Sequence, residues 1–199
     1  VAGVPPDYFS EDGQLWGNPL YDWDRHAADD FAWWRARVDR DLGLFDAVRL
    51  DHFRGICDFW SVPATAATAR EGSWRKGPGM AFFRALGRRA IVAEDLGLLS
   101  PEVHALRAEA GLPGMSVIQF GFPRTEDNPH HPEAITQDRL AYTGTHDNDT
   151  TEGWFAKLSP EVATEVRSCL GTGALSRVAW RAALAVSYTH LTLPTILLV

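Results

Sequence analysis

Three times along this chain a helical segment halts at a glycine and is followed within a few residues by a short run of aliphatic and β-branched residues. Phe31, Trp34, Val38 and Leu42 recur at spacings of three and four, predicting an amphipathic helix over Asp29 to Leu42 that Gly43 ends. Leu44 to Leu50 then reads as a strand stopping at Asp51. The pattern returns with a helix at Met80 to Leu86, Gly87, and a strand at Ala90 to Ala93 that stops at Glu94. Ser100 and Pro101 open a third helix, to about Ala110, in the cap-then-proline order favoured at helix starts. Met115 to Phe120 is the strand that follows it. Arg139 to Gly144 gives a fourth strand, ahead of Thr145-His146-Asp147-Asn148-Asp149, and helix resumes near Pro160. Strands alternating with helices at this spacing imply parallel pairing through right-handed crossovers, in either a closed barrel or an open doubly wound sheet. In both, functional loops follow the carboxyl ends of strands. Asp51, Glu94 and Asp147 therefore fall on one rim.

With 199 residues the chain is one domain or a piece of a larger one, at roughly 150 residues per domain. It starts at Val1 without Met, so the expectation is a start inside a longer reading frame. Its 26 acidic and 19 basic residues leave a net charge of -7, which argues against nucleic acid or anionic membrane as partner. Two cysteines, Cys57 and Cys169, support no disulfide framework or zinc spacing, and a reducing cytoplasm is the expected compartment. Eight Trp among many polar groups suit a ligand with apolar faces and hydroxyls, such as a sugar. The opening segment, with Pro5, Pro6, Gly13, Gly17 and Pro19 among Tyr8, Phe9, Trp16, Tyr21 and Trp23, reads as an ordered loop. The last stretch, 186–199, beginning Val186-Ser187-Tyr188-Thr189-His190, reads as a translated sequencing adapter and is set apart from the fold.

An acid at one strand end is commonly a turn former or helix cap. Three of them carry more weight because Arg49 stands two residues before Asp51 on the same strand face, His52 follows Asp51, and His146 precedes Asp147. Acids beside histidines suit a divalent metal site or the nucleophile and general acid of glycoside cleavage. Neither a His-Glu-x-x-His helix nor a calcium loop is present, since Asp147 to Gly153 has Glu152 where the calcium loop needs its turn glycine. No phosphate-cradling glycine loop follows any strand, and no cofactor is expected.

Five ordered motifs carry a more specific signal. They are Gly3-Val4-Pro5-Pro6-Asp7-Tyr8-Phe9-Ser10, Gly13-Gln14-Leu15-Trp16-Gly17-Asn18-Pro19-Leu20-Tyr21, Arg49-Leu50-Asp51-His52-Phe53-Arg54-Gly55, Ala93-Glu94-Asp95-Leu96-Gly97 and Gly144-Thr145-His146-Asp147-Asn148-Asp149-Thr150. Through them the chain, from Val1 to about Ala185, resembles the 4-α-glucanotransferases, the amylomaltases or disproportionating enzymes of the α-amylase clan. The resemblance implies a (β/α)₈ TIM barrel, here incomplete and covering about strands four to seven. It also implies a retaining transfer of α-1,4-glucan segments from malto-oligosaccharide donors to the 4-hydroxyl of glucose or another glucan. By the same resemblance Asp51 is the nucleophile supported by Arg49, Glu94 the general acid/base and Asp147 the transition-state stabiliser. His52, His146 and Asn148 are expected to bind sugar. Asp7, Tyr8, Phe9, Trp16 and Phe120 are expected to line the glucan path, and Trp33, Trp34, Trp60, Trp74 and Trp180 to be structural. An α-1,4-glucan hydrolase, a non-catalytic glucan-binding fragment and a metal-dependent hydrolase stay open as alternatives. Half a barrel exposes unpaired strand edges, so the chain alone is expected to aggregate and to be inactive.

Overall fold

The structure, a computed structural model, describes residues 1–7, 10–97, 99–175 and 177–182. Tyr8, Phe9 and the whole of 186–199 lie outside the described residues. The chain divides between Leu112 and Pro113 into two compact units.

In the first unit the elements run β1 (Ala2–Val4), β2 (Gln14–Leu15), α1 (Trp23–Ala28), α2 (Ala32–Leu42), β3 (Val48–Leu50), α3 (Arg54–Cys57) and β4 (Asp58–Ser61). They continue as β5 (Ser73–Lys76), α4 (Met80–Leu86), β6 (Ile91–Ala93) and α5 (Pro101–Ala110). β3 and β6 pair in parallel, as the helix–strand alternation implies. The opening residues and the stretch before α4 are less loop-like than the sequence suggests. They supply an antiparallel sheet in the order β2-β1-β4-β5, with Gly3 opposite both Leu15 and Trp60. Such short strands show no alternation to read, and the pairing of β1 with β4 joins residues distant in sequence. Gly3 is required at the crossing because a Cβ there would lie 2.4 Å from the Gln14 carbonyl oxygen.

The helix predicted to begin at Asp29 begins later. Asp30 and Phe31 both take left-handed backbone, φ 55° and 54°, which separates α1 from α2. Asp29 Oδ1 accepts from the Ala32 amide as the new helix starts, and Phe31 turns into the core. There Phe31, Trp34 and Val38 meet Phe53 and Ile56, the α4 residues Phe82, Phe83 and Leu86, Ile91 and Ala93 of β6, and Val103 and Leu106 of α5. α5 has the expected shape, with Pro101 in its first turn and Gly111 at φ 66° ending it. Of the tryptophans expected to be structural, Trp34 is buried, whereas Trp33, Trp74 and Trp180 are largely exposed.

The second unit holds β7 (Gly114–Val117) and β8 (Arg139–Tyr142), again parallel, with Gly114 opposite Arg139 and Val117 opposite Tyr142. α6 (Thr151–Ala156) and α7 (Pro160–Leu170) follow. The strand expected to reach Phe120 stops at Val117, where Ile118–Gly121 tightens into a 3₁₀ turn. Ile118, Phe122, Val166 and Leu175 form its apolar centre.

Phe82 is fully buried, its ring 5.6 Å from Phe31, 5.3 Å from Trp34 and 5.2 Å from Phe83. Truncation there leaves a cavity that such stiff neighbours do not refill. Phe82→Ala is expected to cost about 3–5 kcal/mol in urea unfolding, and a loss under about 1 kcal/mol would show that this cluster is not the core.

Candidate active site

The parallel register places Val48, Arg49 and Leu50 opposite Ile91, Val92 and Ala93. The next residue on each strand is an acid, so Asp51 and Glu94 leave the sheet side by side. Leu50 packs on the core, and the alternation of a strand turns Arg49 and Asp51 to the other face. There Arg49 Nη2 lies 2.7 Å from Asp51 Oδ1. The Asp51 side chain stays largely open to solvent.

Glu94 is held on every side. Its amide donates to the Leu50 carbonyl at 2.9 Å, and its carbonyl accepts from the Phe53 amide at 3.0 Å. Its two carboxyl oxygens accept from backbone as well, Oε2 from the His52 amide at 2.7 Å and Oε1 from the Leu96 amide at 3.1 Å. Burial pushes the Glu94 carboxyl above the usual carboxylate range, and the negative charge of Asp51 adds to this; the two amides and the Arg49 guanidinium oppose it. The neighbouring acid, Asp95, is buried and turns away onto Arg107 of α5 at 3.3 Å. Glu94 and Asp95 are adjacent in sequence but serve a site and a scaffold respectively.

His52 sits in the left-handed region at φ 47°. Burial pushes its imidazole below the usual histidine range, although Asp51 pulls the other way. Its ring meets Trp16 edge-on with centroids 4.9 Å apart. Trp16 is itself carried by the antiparallel sheet, its amide donating to the Ala2 carbonyl at 3.1 Å and its indole to Gln14 Oε1 at 3.0 Å. The structure thus brings Arg49, Asp51, His52, Glu94 and Trp16 together. Asp7 is occupied in its own turn, with Oδ1 accepting from the Ser10 amide at 2.9 Å.

The second unit carries Asp147, His146, Asn148 and Phe120. Asp147 and His146 are exposed, with Nε2 of His146 3.4 Å from Oδ1 of Asp147. Asn148 acts locally, its Oδ1 accepting from both the amide and the hydroxyl of Thr145 at 2.8 Å and closing the turn that presents Asp147. Phe120 is 43% exposed and stands edge-on to His130, 5.6 Å away. Gln119, which no sequence motif singles out, is buried under this loop and donates from Nε2 to the Asp149 carbonyl at 2.9 Å. Asp149 is held below the usual carboxylate range by Lys157 Nζ at 2.7 Å and by the Thr150 amide. Gly144 leaves room for Gln119, since a Cβ there would lie 2.8 Å from its Nε2. Those pairings across the loop have no sequence signature.

Among the described residues no group of three or more His, Cys, Asp or Glu is placed to hold a metal ion, and no helix is long and apolar enough to cross a membrane. What the first unit presents is an ion-paired carboxylate beside a carboxyl biased toward its neutral form, the chemistry that glycoside-cleaving enzymes require. The comparisons with known proteins bear on the family. A family model described as 4-alpha-glucanotransferase matches residues 1–193, and the chain belongs to that family. The chloroplastic/amyloplastic 4-alpha-glucanotransferase of rice is 48% identical over 184 residues, which are 90% of this chain and 31% of the rice protein. The 4-alpha-glucanotransferase of Thermus thermophilus is 50% identical over 166 residues, 80% of this chain and 33% of that protein. The amylomaltase of Streptococcus agalactiae, solved in complex with acarbose, superposes with a TM-score of 0.85 at 37% identity, over 92% of this chain and 38% of that one. The chain thus spans about a third of the length of the curated relatives it matches. The rice enzyme is named for a plastid and others are bacterial, so membership fixes no compartment.

The raised Glu94 carboxyl makes stability depend on pH. The folded state disfavours its ionised form, so at any pH between the ordinary Glu range and the raised value the folded state binds more protons than the unfolded one. Stability from this group is full in acid and falls as pH rises through that window. In melting curves taken from about pH 4 to 8, Tm of Glu94→Gln is expected to fall less with rising pH than that of the parent. Gln offers one acceptor oxygen to two amides, so its absolute Tm shifts too, and the slope is the test. Parallel curves would show Glu94 to be unperturbed.

Proposed function

We propose that this chain carries the reacting groups of a retaining 4-α-glucanotransferase, on about strands four to seven of a (β/α)₈ barrel. The observation that carries the reading is the in-register pair Asp51 and Glu94, with Arg49 on the first and a backbone clamp on the second. The Asp51 carboxylate attacks the anomeric carbon while Glu94 gives its proton to the departing glycosidic oxygen, leaving a glycosyl ester on Asp51. The 4-hydroxyl of an acceptor then attacks the same carbon, its proton passes to Glu94, and the ester bond breaks. Asp147 with His146 stabilises the flattened, positively charged ring. His52, Asn148, Asp7, Tyr8, Phe9, Trp16 and Phe120 contact the glucan on either side. Acarbose in the S. agalactiae amylomaltase supports a saccharide ligand. The glycosyl ester survives only where a bound acceptor keeps water away.

The test is incubation of the protein encoded by the source reading frame with maltotriose, followed by mass analysis of the sugars. A ladder longer than maltotriose together with free glucose is expected, and Asp51→Asn should lower its rate by at least about 10³-fold. Glucose and maltose without longer products would make the protein a hydrolase. An unchanged length distribution with retained oligosaccharide would make it a binder. Loss of turnover in a chelator would replace the two-carboxyl mechanism with a metal-dependent one.

A further inference from the structure

His52 combines three features that a sugar-binding imidazole does not need. Its backbone is left-handed at φ 47°, an uncommon state for a residue with a side chain, in which glycine is free and asparagine is enriched. That conformation sends its amide to Glu94 Oε2 at 2.7 Å, the shorter of the two bonds on that carboxyl. The turn is also braced: the His52 carbonyl accepts from the Gly55 amide at 2.8 Å, and the ring rests edge-on against Trp16. A Cβ at Gly55 would come within 3.3 Å of the imidazole Cδ2, so the glycine leaves the ring its place.

We propose that the left-handed turn at His52 is a positioning device for the acid, in which the backbone amide of His52, rather than its imidazole, orients the Glu94 carboxyl beside Asp51. The proposal rests on the reading of Glu94 as the proton donor. Without the turn, Oε2 loses its donor and the carboxyl keeps only the longer Leu96 bond, so it rotates away from the proton-transfer geometry. The same loss changes its titration. The His52 amide favours the ionised carboxylate, as do Arg49 and the Leu96 amide, whereas burial and Asp51 oppose it. Removing that amide therefore moves Glu94 further up. The imidazole, itself flanked by Asp51, Arg54 and Asp58, makes no contribution of this kind.

His52→Gly, His52→Asn and His52→Val separate backbone from ring, because all three remove the imidazole while only the first two residues adopt positive φ at little cost. Two readouts are taken on the protein encoded by the source reading frame: the pH-rate profile with maltotriose, and the titration of the Glu94 carboxyl by ¹³C NMR, assigned with Glu94→Gln. Gly and Asn are expected to leave the basic limb and the carboxyl midpoint unmoved, with the loss of the ring's contact to glucan read in KM. Val is expected to lower kcat by about 10²-fold and to move both upward by about half a pH unit or more. Equal losses in Gly and Val, with an unmoved limb, would overturn the proposal in favour of a substrate-contacting imidazole. Should the Val variant fail to fold, a Glu94 midpoint that moves by about half a pH unit in the Gly variant, which keeps the amide, overturns it equally well. Full activity in Glu94→Gln would instead sink the assignment of Glu94 as acid, while the carboxyl titration still reports whether the turn governs its charge.

Discussion

Glu94 is tied by three hydrogen bonds to the segment that bears Asp51: through its amide to Leu50, through its carbonyl to Phe53 and through its carboxyl to His52. The two acids are thus not merely on neighbouring strands. The ladder between β3 and β6 continues past the last strand residue, and the bonds close around Asp51 from both sides. Backbone geometry, with its short fixed reach, therefore sets where the two carboxyl groups leave the chain, and the side chains add only their own rotamers. The buried apolar surface of α2, α4 and α5 serves the site indirectly, by pressing this pair of strands into one register.

A second layer of support comes from elements unrelated to the parallel strands. The antiparallel sheet is short, yet it fastens the opening residues to β4 and so delivers Trp16 to the edge of His52. Arg49 has its terminal nitrogen on Asp51 while its Nε is buried without a partner. The Arg49 charge thus faces Asp51 from the protein side of a pair whose other member is open to solvent.

Much of this is legible in the sequence, and the limits have physical causes. α4, α5, α7 and the four parallel strands are readable because each has an amphipathic or aliphatic run of its own and a glycine or proline at its edge. Asp51, Glu94 and Arg49 are readable because strand-end position and alternation are local properties. β1, β2, β4 and β5 are not, since none has an aliphatic run of its own and the pairing of β1 with β4 joins residues nearly sixty positions apart. The break before α2 is hidden because nothing in Asp30 and Phe31 marks a left-handed pair. The clamp on Glu94 is hidden for a deeper reason: its donors are backbone amides, which every residue but proline possesses, so no residue type reports them. Tyr8 and Phe9 fall outside the described residues.

The register of β3 against β6 also decides where this chain can tolerate change in length. A strand shifted by one residue turns every side chain to the opposite face. An inserted or deleted residue in β3 would therefore bring Leu50 to the mouth and bury the Arg49–Asp51 ion pair in the apolar layer, away from Glu94. The connection between β4 and β5 is tied down too, with Val62 and Ala69 buried and the Trp60 indole donating to the Ala69 carbonyl at 2.7 Å, but none of these ties involves Asp51 or Glu94. A change of length in β3 therefore costs the chain both its apolar packing and the side-by-side exit of Asp51 and Glu94.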